Sequence, residues 1–275
     1  MTDVRRALPI ALTIAGSDPS GGAGLQADLK TFHQHRIYGA SVVTLVTVQS
    51  TVRVSRVEVL SPELVREQLI AVLDDLGPLA IKTGALGSAE VVREVAATLE
   101  PRLTREGPAL VVDPVMISKH GHALLAPSAV DACIEHLFPL ASLITPNVPE
   151  AAHLLGLSDP TSITHEHEAA EAALTLARRT GVPVLLKGGH LAGDKSVDLL
   201  AVGGEIERFE APRVDSPHTH GTGCTYAAAI TARLARGEAL RDAIRHAKGW
   251  VTRAIASAPA IGKGIGPVDH LVALD

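Results

Sequence analysis

The chain has 275 residues, 46% of them hydrophobic, and at about 150 residues per domain that is one large core or two small ones. Twenty-five Lys plus Arg against 30 Asp plus Glu leave a net charge of −5, the wrong sign for gripping a nucleic-acid backbone. Three Phe, two Tyr and one Trp supply neither a base-stacking platform nor a membrane aromatic belt, and two cysteines exclude a disulfide framework, so a small-molecule partner in a reducing cytoplasm is expected.

At the N-terminus, Arg5 and Arg6 ahead of an apolar stretch imitate a twin-arginine signal. The stretch is short and runs straight into Ser17-Asp18-Pro19-Ser20-Gly21-Gly22-Ala23-Gly24, so it reads as a buried first strand over residues 9–15 feeding a glycine loop. Further β-branched apolar runs follow at residues 42–48, 79–83, 109–113, 142–145, 183–187 and 197–202. Between them, Val65, Leu69, Val72, Leu73 and Leu76 recur at helical spacing, as do Leu240, Ile244, Ala247, Val251, Ala254 and Ile255. This alternation predicts an α/β fold with a mostly parallel central sheet and helices on both faces. No linker, repeat or stretch of about 18 apolar residues interrupts it, so a single domain over residues 1–275 and no membrane span are expected.

The polar exceptions fall just after the strands: Gly16-Ser17-Asp18, Gln49-Ser50-Thr51, Lys82-Thr83-Gly84, Asp113-Pro114-Val115-Met116, Thr145-Pro146-Asn147 and Lys187-Gly188-Gly189-His190. In an open α/β sheet the ligand crevice lies outside the carboxyl ends of the strands, so these groups converge on one rim.

Two glycine loops invite a phosphate. The first, residues 16–24, has neither the lysine of a Walker loop nor a GxGxxG pattern. It reads either as a tight strand-to-helix turn or as a substrate loop, with Asp28 one turn into the next helix as an acceptor. The second, His220-Gly221-Thr222-Gly223-Cys224, precedes a helix rich in small residues, whose free N–H groups and dipole make an anion hole for a transferring phosphoryl group. Cys224 within it is either an inert small side chain or a thiolate base whose pKa the helix N-terminus lowers.

Lys187 at a strand end is either solvated or placed to neutralise a nucleotide phosphate. Asn147 and Glu150 in Asn-Val-Pro-Glu read either as a capping box or as part of a metal shell. Of the 13 histidines, the pairs His33/His35, His120/His122 and His165/His167 lack zinc-site partners, and only His218 and His220 with Cys224 make a metal candidate.

Taken together, residues 11–30 (ALTIAGSDPSGGAGLQADLK), Val-Gln-Ser-Thr51, Asp-Pro-Val-Met116, Thr-Pro-Asn-Val-Pro-Glu-Ala151, Leu-Lys-Gly-Gly-His190, His-Gly-Thr-Gly-Cys-Thr225 and Gly-Lys-Gly-Ile-Gly-Pro-Val268 resemble the hydroxymethylpyrimidine/phosphomethylpyrimidine kinases of thiamine biosynthesis. The likeness runs through nearly the whole chain in order. It implies a ribokinase-like fold, ATP and Mg²⁺, a homodimer, and two successive phosphorylations of an aminopyrimidine. Pyridoxal kinase of the same branch and a non-catalytic pyrimidine-binding protein are the competing readings.

By the same resemblance Gln49 pairs with the aminopyrimidine edge, and Gly16, Ala23, Asp28, Ala85 and Val115 complete its pocket. Lys187, Asn147 and Gly223 hold the nucleotide, Asn147, Glu150 and Asp113 the metal, and Gly221, Thr222, Gly223, Cys224 and Lys187 the transferring group. Ala85-Leu86 stands where the family commonly has a methionine, and Ser50 where an asparagine follows the glutamine.

Overall fold

The computed structural model describes residues 8–116, 125–159, 161–189 and 191–274, so the arginine pair at Arg5 and Arg6, His120, His122 and His190 lie outside the described residues. Strand β1 (Ile10–Ser17) is buried at every interior position, as a strand covered on both faces must be. It enters helix α1 (Gly24–Gln34) through the first glycine loop. Then follow β2 (Tyr38–Gln49), β3 (Val54–Val59), α2 (Pro62–Leu76), β4 (Ala80–Thr83), α3 (Ala89–Leu99) and β5 (Ala109–Val112). The chain continues with α4 (Pro127–Ala132), β6 (Leu143–Ile144), α5 (Val148–Leu154), α6 (Glu166–Thr180), β7 (Val184–Gly188), β8 (Lys195–Val202), β9 (Glu205–Pro212), α7 (Thr222–Ala235) and α8 (Leu240–Ala256).

One sheet holds all nine strands in the order β3-β2-β1-β4-β5-β6-β7-β8-β9. The six strands β2, β1, β4, β5, β6 and β7 run parallel to one another; β3 pairs antiparallel with β2 at one edge, and at the other β8 pairs antiparallel with β7 and β9 with β8. The expected mostly parallel sheet is therefore observed. All seven predicted strands are present, with ends shifted by up to four residues. The two strands that apolar runs miss are β3 and β9, whose charged, exposed residues reflect edge positions with one face in water.

Because successive strand residues point to opposite faces, Leu110 and Val112 pack under one helical layer and Val111 under the other. The first layer holds residues of α2, α3, α4, α5 and α6, and the second those of α1, α7 and α8. Local signals set the helix ends: Ser61 accepts from the Leu64 amide to cap α2, and Gly77 closes it at φ +56. The run Ala227–Ala228–Ala229 lets α7 lie close on the sheet, fully buried. Both neighbours of β1 are reached by connections that leave in opposite directions, so the chain opens a crevice at the carboxyl end of β1.

Candidate active site

At that crevice a cavity of about 640 Å³ runs along the carboxyl ends of the parallel strands. The structure brings Gly16, Ala23, Gln49, Ala85, Asp113, Val115, Asn147, Glu150 and Lys187 to its wall, together with the four residues Gly221, Thr222, Gly223 and Cys224. The second glycine loop closes the middle of it. Gly221 adopts φ +75 as the N-cap of α7 and offers no side chain; the Thr222 amide donates to the Thr219 carbonyl at 3.3 Å, and Gly223 and Cys224 of the uncapped first turn border the cavity. Lys187 meets this turn directly: a Cβ on Gly223 would lie 3.2 Å from its Nζ.

Asp28 is the exception among the expected residues. It is fully buried, outside the cavity wall, and its carboxylate accepts from Thr13 Oγ1 at 2.6 Å and from Lys82 Nζ at 2.8 and 2.9 Å. The reason is helical phase, because position 28 shares the buried stripe of α1 with Leu25, Thr31 and Phe32. The cavity-facing acid of this region is Asp18. Its carboxylate accepts from the amides of Ser20 and Ala23, from Ser20 Oγ at 2.7 Å, and from His220 Nε2 at 2.8 Å. Burial opposes its ionisation, but His220 and Ser20 hold the Asp18 carboxyl below the usual carboxylate range.

The Gln49 amide nitrogen lies 3.2 Å from the same His220 nitrogen, and Thr47 Oγ1 donates to its oxygen at 3.3 Å. Gln49, His220 and Asp18 therefore form one polar edge beside Cys224. A metal role for His218, His220 and Cys224 does not survive this arrangement. His220 is engaged by Asp18, His218 Nδ1 accepts from the Gly266 amide at 3.1 Å, and no cluster of three His, Cys, Asp or Glu residues among the described residues is placed to hold an ion.

The thiol also departs from expectation. Burial pushes Cys224 up to about 11, and the flanking carboxylates of Asp113 and Asp28 add to the rise. Lys82 and the Gly24 amide pull it back only in part, so the helix N-terminus does not make a resting thiolate. Cys133, buried against the helices, is pushed up to about 12 by burial alone.

At the opposite side of the hole, Lys187 Nζ donates to Asp113 Oδ1 at 2.7 Å, and Thr145 donates to the same oxygen at 3.2 Å. Burial alone would lower Lys187, yet Asp113 and Glu150 hold it above its ordinary value. Burial, then Asp113, pushes the Glu150 carboxyl up to about 7 against the attraction of Lys187. Asn147 and Glu150 form the capping box of α5: Asn147 Oδ1 accepts the Glu150 amide at 2.9 Å, and Glu150 Oε2 accepts the Asn147 amide at 2.8 Å. This engages the Asn147 oxygen that was expected on a metal.

The cavity continues past Lys187 between Val214, Val251 and Ile255, where Lys248 Nζ pairs with Asp198 at 2.8 Å and donates to Ser196 at 2.9 Å. Sequence reasoning placed Asp18 and Lys82 on the rim without giving either a role, did not find Asp198, and weighed the His220 side chain only as a metal ligand. For Asp18 and Lys82 the signal was their place at strand ends.

The phosphomethylpyrimidine kinase family profile matches residues 18–269 of this chain. The chain belongs to the phosphomethylpyrimidine kinase family. It is 48% identical over 264 residues to a hydroxymethylpyrimidine/phosphomethylpyrimidine kinase of Streptomyces coelicolor, covering 95% of this chain and 94% of that one. It is 47% identical to the thiamine biosynthesis bifunctional protein ThiED of Geobacter sulfurreducens, with 96% of this chain matching 52% of that longer protein. Among solved structures, the ADP complex of Bacillus subtilis pyridoxal kinase superposes with a TM-score of 0.86 at 36% identity, covering 96% of this chain and 98% of that one. In this member of the phosphomethylpyrimidine kinase family, the loop of Gly221 to Gly223 and Lys187 line one cavity together with Gln49 and Val251.

Proposed function

We propose that this protein transfers the γ-phosphoryl group of ATP to the hydroxyl of 4-amino-5-hydroxymethyl-2-methylpyrimidine and then to the resulting monophosphate, a cytoplasmic homodimer serving thiamine biosynthesis. The observation that carries the reading is the uncapped first turn of α7 with Lys187 against it, flanked on one side by Gln49 and on the other by two carboxylates.

Gln49 offers a donor and an acceptor to the ring nitrogen and exocyclic amine of the pyrimidine, while Ala23, Ala85 and Val115 shape its apolar contacts. This orients the hydroxymethyl oxygen toward the loop of Gly221 to Gly223. There that oxygen forms a bond to the γ-phosphorus as the bond to the leaving ADP oxygen breaks. The amides of the α7 N-terminus and the Lys187 ammonium stabilise the charge spread over the phosphoryl oxygens. The transition state is loose, so the hydroxyl proton leaves late, to an oxygen of the transferred phosphoryl group, and Cys224 acts as a neutral thiol that positions the hydroxyl.

The donor set fits a Mg²⁺ ion that keeps most of its own shell. Asp113 and Glu150 are hard oxygen ligands, Glu150 lifted by burial and then by the charge of Asp113, and one or two carboxylates with phosphate oxygens and water are what this ion takes. Mg²⁺ bound with the nucleotide would neutralise charge between its phosphates.

Incubation with hydroxymethylpyrimidine, ATP and Mg²⁺, followed by mass measurement of the product, tests the reading: addition of one and then two phosphates is expected. A higher kcat/KM for pyridoxal would make it a pyridoxal kinase, the activity of the Bacillus subtilis neighbour. Pyrimidine binding without ADP release would make it a binding protein.

A further inference from the structure

Lys82 and Asp28 are both fully buried, and the kinase reading leaves them without a role. Stability does not explain them, because replacing a buried ion pair by apolar groups is often neutral or favourable. Their placement does. Lys82 projects from β4 at the centre of the sheet and reaches the cavity floor beside Gly84, where an added Cβ would lie 3.1 Å from its Nζ. Its anchor comes from α1: Asp28 takes both bonds from the ammonium and a third from Thr13 on β1. The same helix begins at Gly24, whose amide reaches the sulfur of Cys224. One helix thus holds the thiol with its first residue and fixes the buried cation with its first buried acid.

We infer that Lys82 is a positioning residue of the phosphoryl-acceptor site, a cation anchored by Asp28 beneath Cys224 that sets the charge the thiol and the anion loop can carry. The charged groups facing Cys224 are Lys82 from β4, Asp28 from α1, Asp113 beyond β5 and Lys187 from β7. Without Lys82, the floor under the thiol keeps its two carboxylates and loses the cation that offsets them. Burial works against this lysine's charge, but Asp28, then Cys224 and Asp113, hold it above its ordinary value. It therefore remains an ammonium closed off from solvent, and such a preorganised charge costs no reorganisation when the phosphoryl group arrives.

The inference deepens the kinase reading and rests on it, so its test includes a measurement made without substrate. The rate of Cys224 alkylation by iodoacetamide is read at pH 9, with Cys133 inert in the core. Lys82→Gln, which removes the cation and keeps both carboxylates, is expected to slow alkylation tenfold or more; Lys82→Met/Asp28→Leu, which takes one carboxylate away with the cation and leaves Asp113, is expected to slow it about threefold. The double variant lowers kcat tenfold or more and leaves the KM for the pyrimidine within about threefold. Lys82→Arg, which keeps the cation, is expected to restore at least a third of the alkylation rate. A folded double variant that alkylates at the wild-type rate overturns the inference whether or not the kinase assay succeeds. Should the double variant not fold, an alkylation rate in Lys82→Gln equal to that of wild type overturns it equally.

Discussion

His220 Nε2 lies 2.8 Å from the Asp18 carboxylate and joins the loop after β1 to the loop before α7 across 202 positions of chain. Both side chains are almost wholly buried, so the contact is a clasp that fixes the pyrimidine side of the cavity relative to the anion loop. Asp18 also gathers the Ser20 and Ala23 amides. Asp18→Ala leaves these donors unmatched, a loss of about 1–3 kcal/mol for a buried group. The expected outcome is a Tm several degrees lower and a kcat/KM for the pyrimidine reduced by about 10²-fold, read by calorimetry and steady-state kinetics.

The two glycines of the anion loop differ in what surrounds them. At Gly221 an added Cβ would lie 1.8 Å from the Gly22 carbonyl oxygen, and its φ of +75 disfavours any side chain. At Gly223 the obstacle is only the flexible end of Lys187. Gly221→Ala should lower kcat/KM by about 10²-fold or more, whereas Gly223→Ala should mainly raise the KM for ATP by about tenfold with stability retained. Equal effects in the two variants would contradict this ranking.

Cys224 holds its proton throughout the neutral range, since burial pushes it up to about 11. Cys224→Ala is therefore expected to cost about tenfold in kcat, below the 10²–10⁴ typical of a lost general base. The pH profiles of kcat for wild type and Cys224→Ser should have the same shape between pH 6 and 9. Loss of an ionisation in the variant would show that the thiol is titrating in that range.

Two buried histidines set the acid limit of stability. Burial lowers His35 from 6.5 to about 4, where its ring meets Trp250 edge-on and Nδ1 donates to the Thr31 carbonyl. Burial likewise takes His270, bonded to Thr225, down to about 4. Below pH 6.5 the unfolded chain binds these protons and the folded chain does not, so stability falls as pH drops from 6.5 toward 4. Each histidine contributes at most about 3 kcal/mol to that loss. Urea unfolding of His270→Gln should show a shallower loss over this interval than the wild type.

Much of this protein is set by local pattern. Apolar runs fix seven strands and helical periodicity fixes α2 and α8, because burial on both faces leaves no room for polar residues in the central strands and an amphipathic stripe marks a helix laid on the sheet. The strand-end polar groups and the bare loop before α7 mark the rim, since parallel strands deliver their carboxyl ends to one side. Tertiary structure alone decided which acid faces the ligand. Asp28 and Asp18 both follow β1, and only the phase of α1 against the sheet sends one to Lys82 and leaves the other to His220. It also decided the charge of Cys224, because a helix N-terminus lowers a thiol's pKa and burial raises it, and the balance depends on residues from β4, β5 and α1 that meet only in the folded chain.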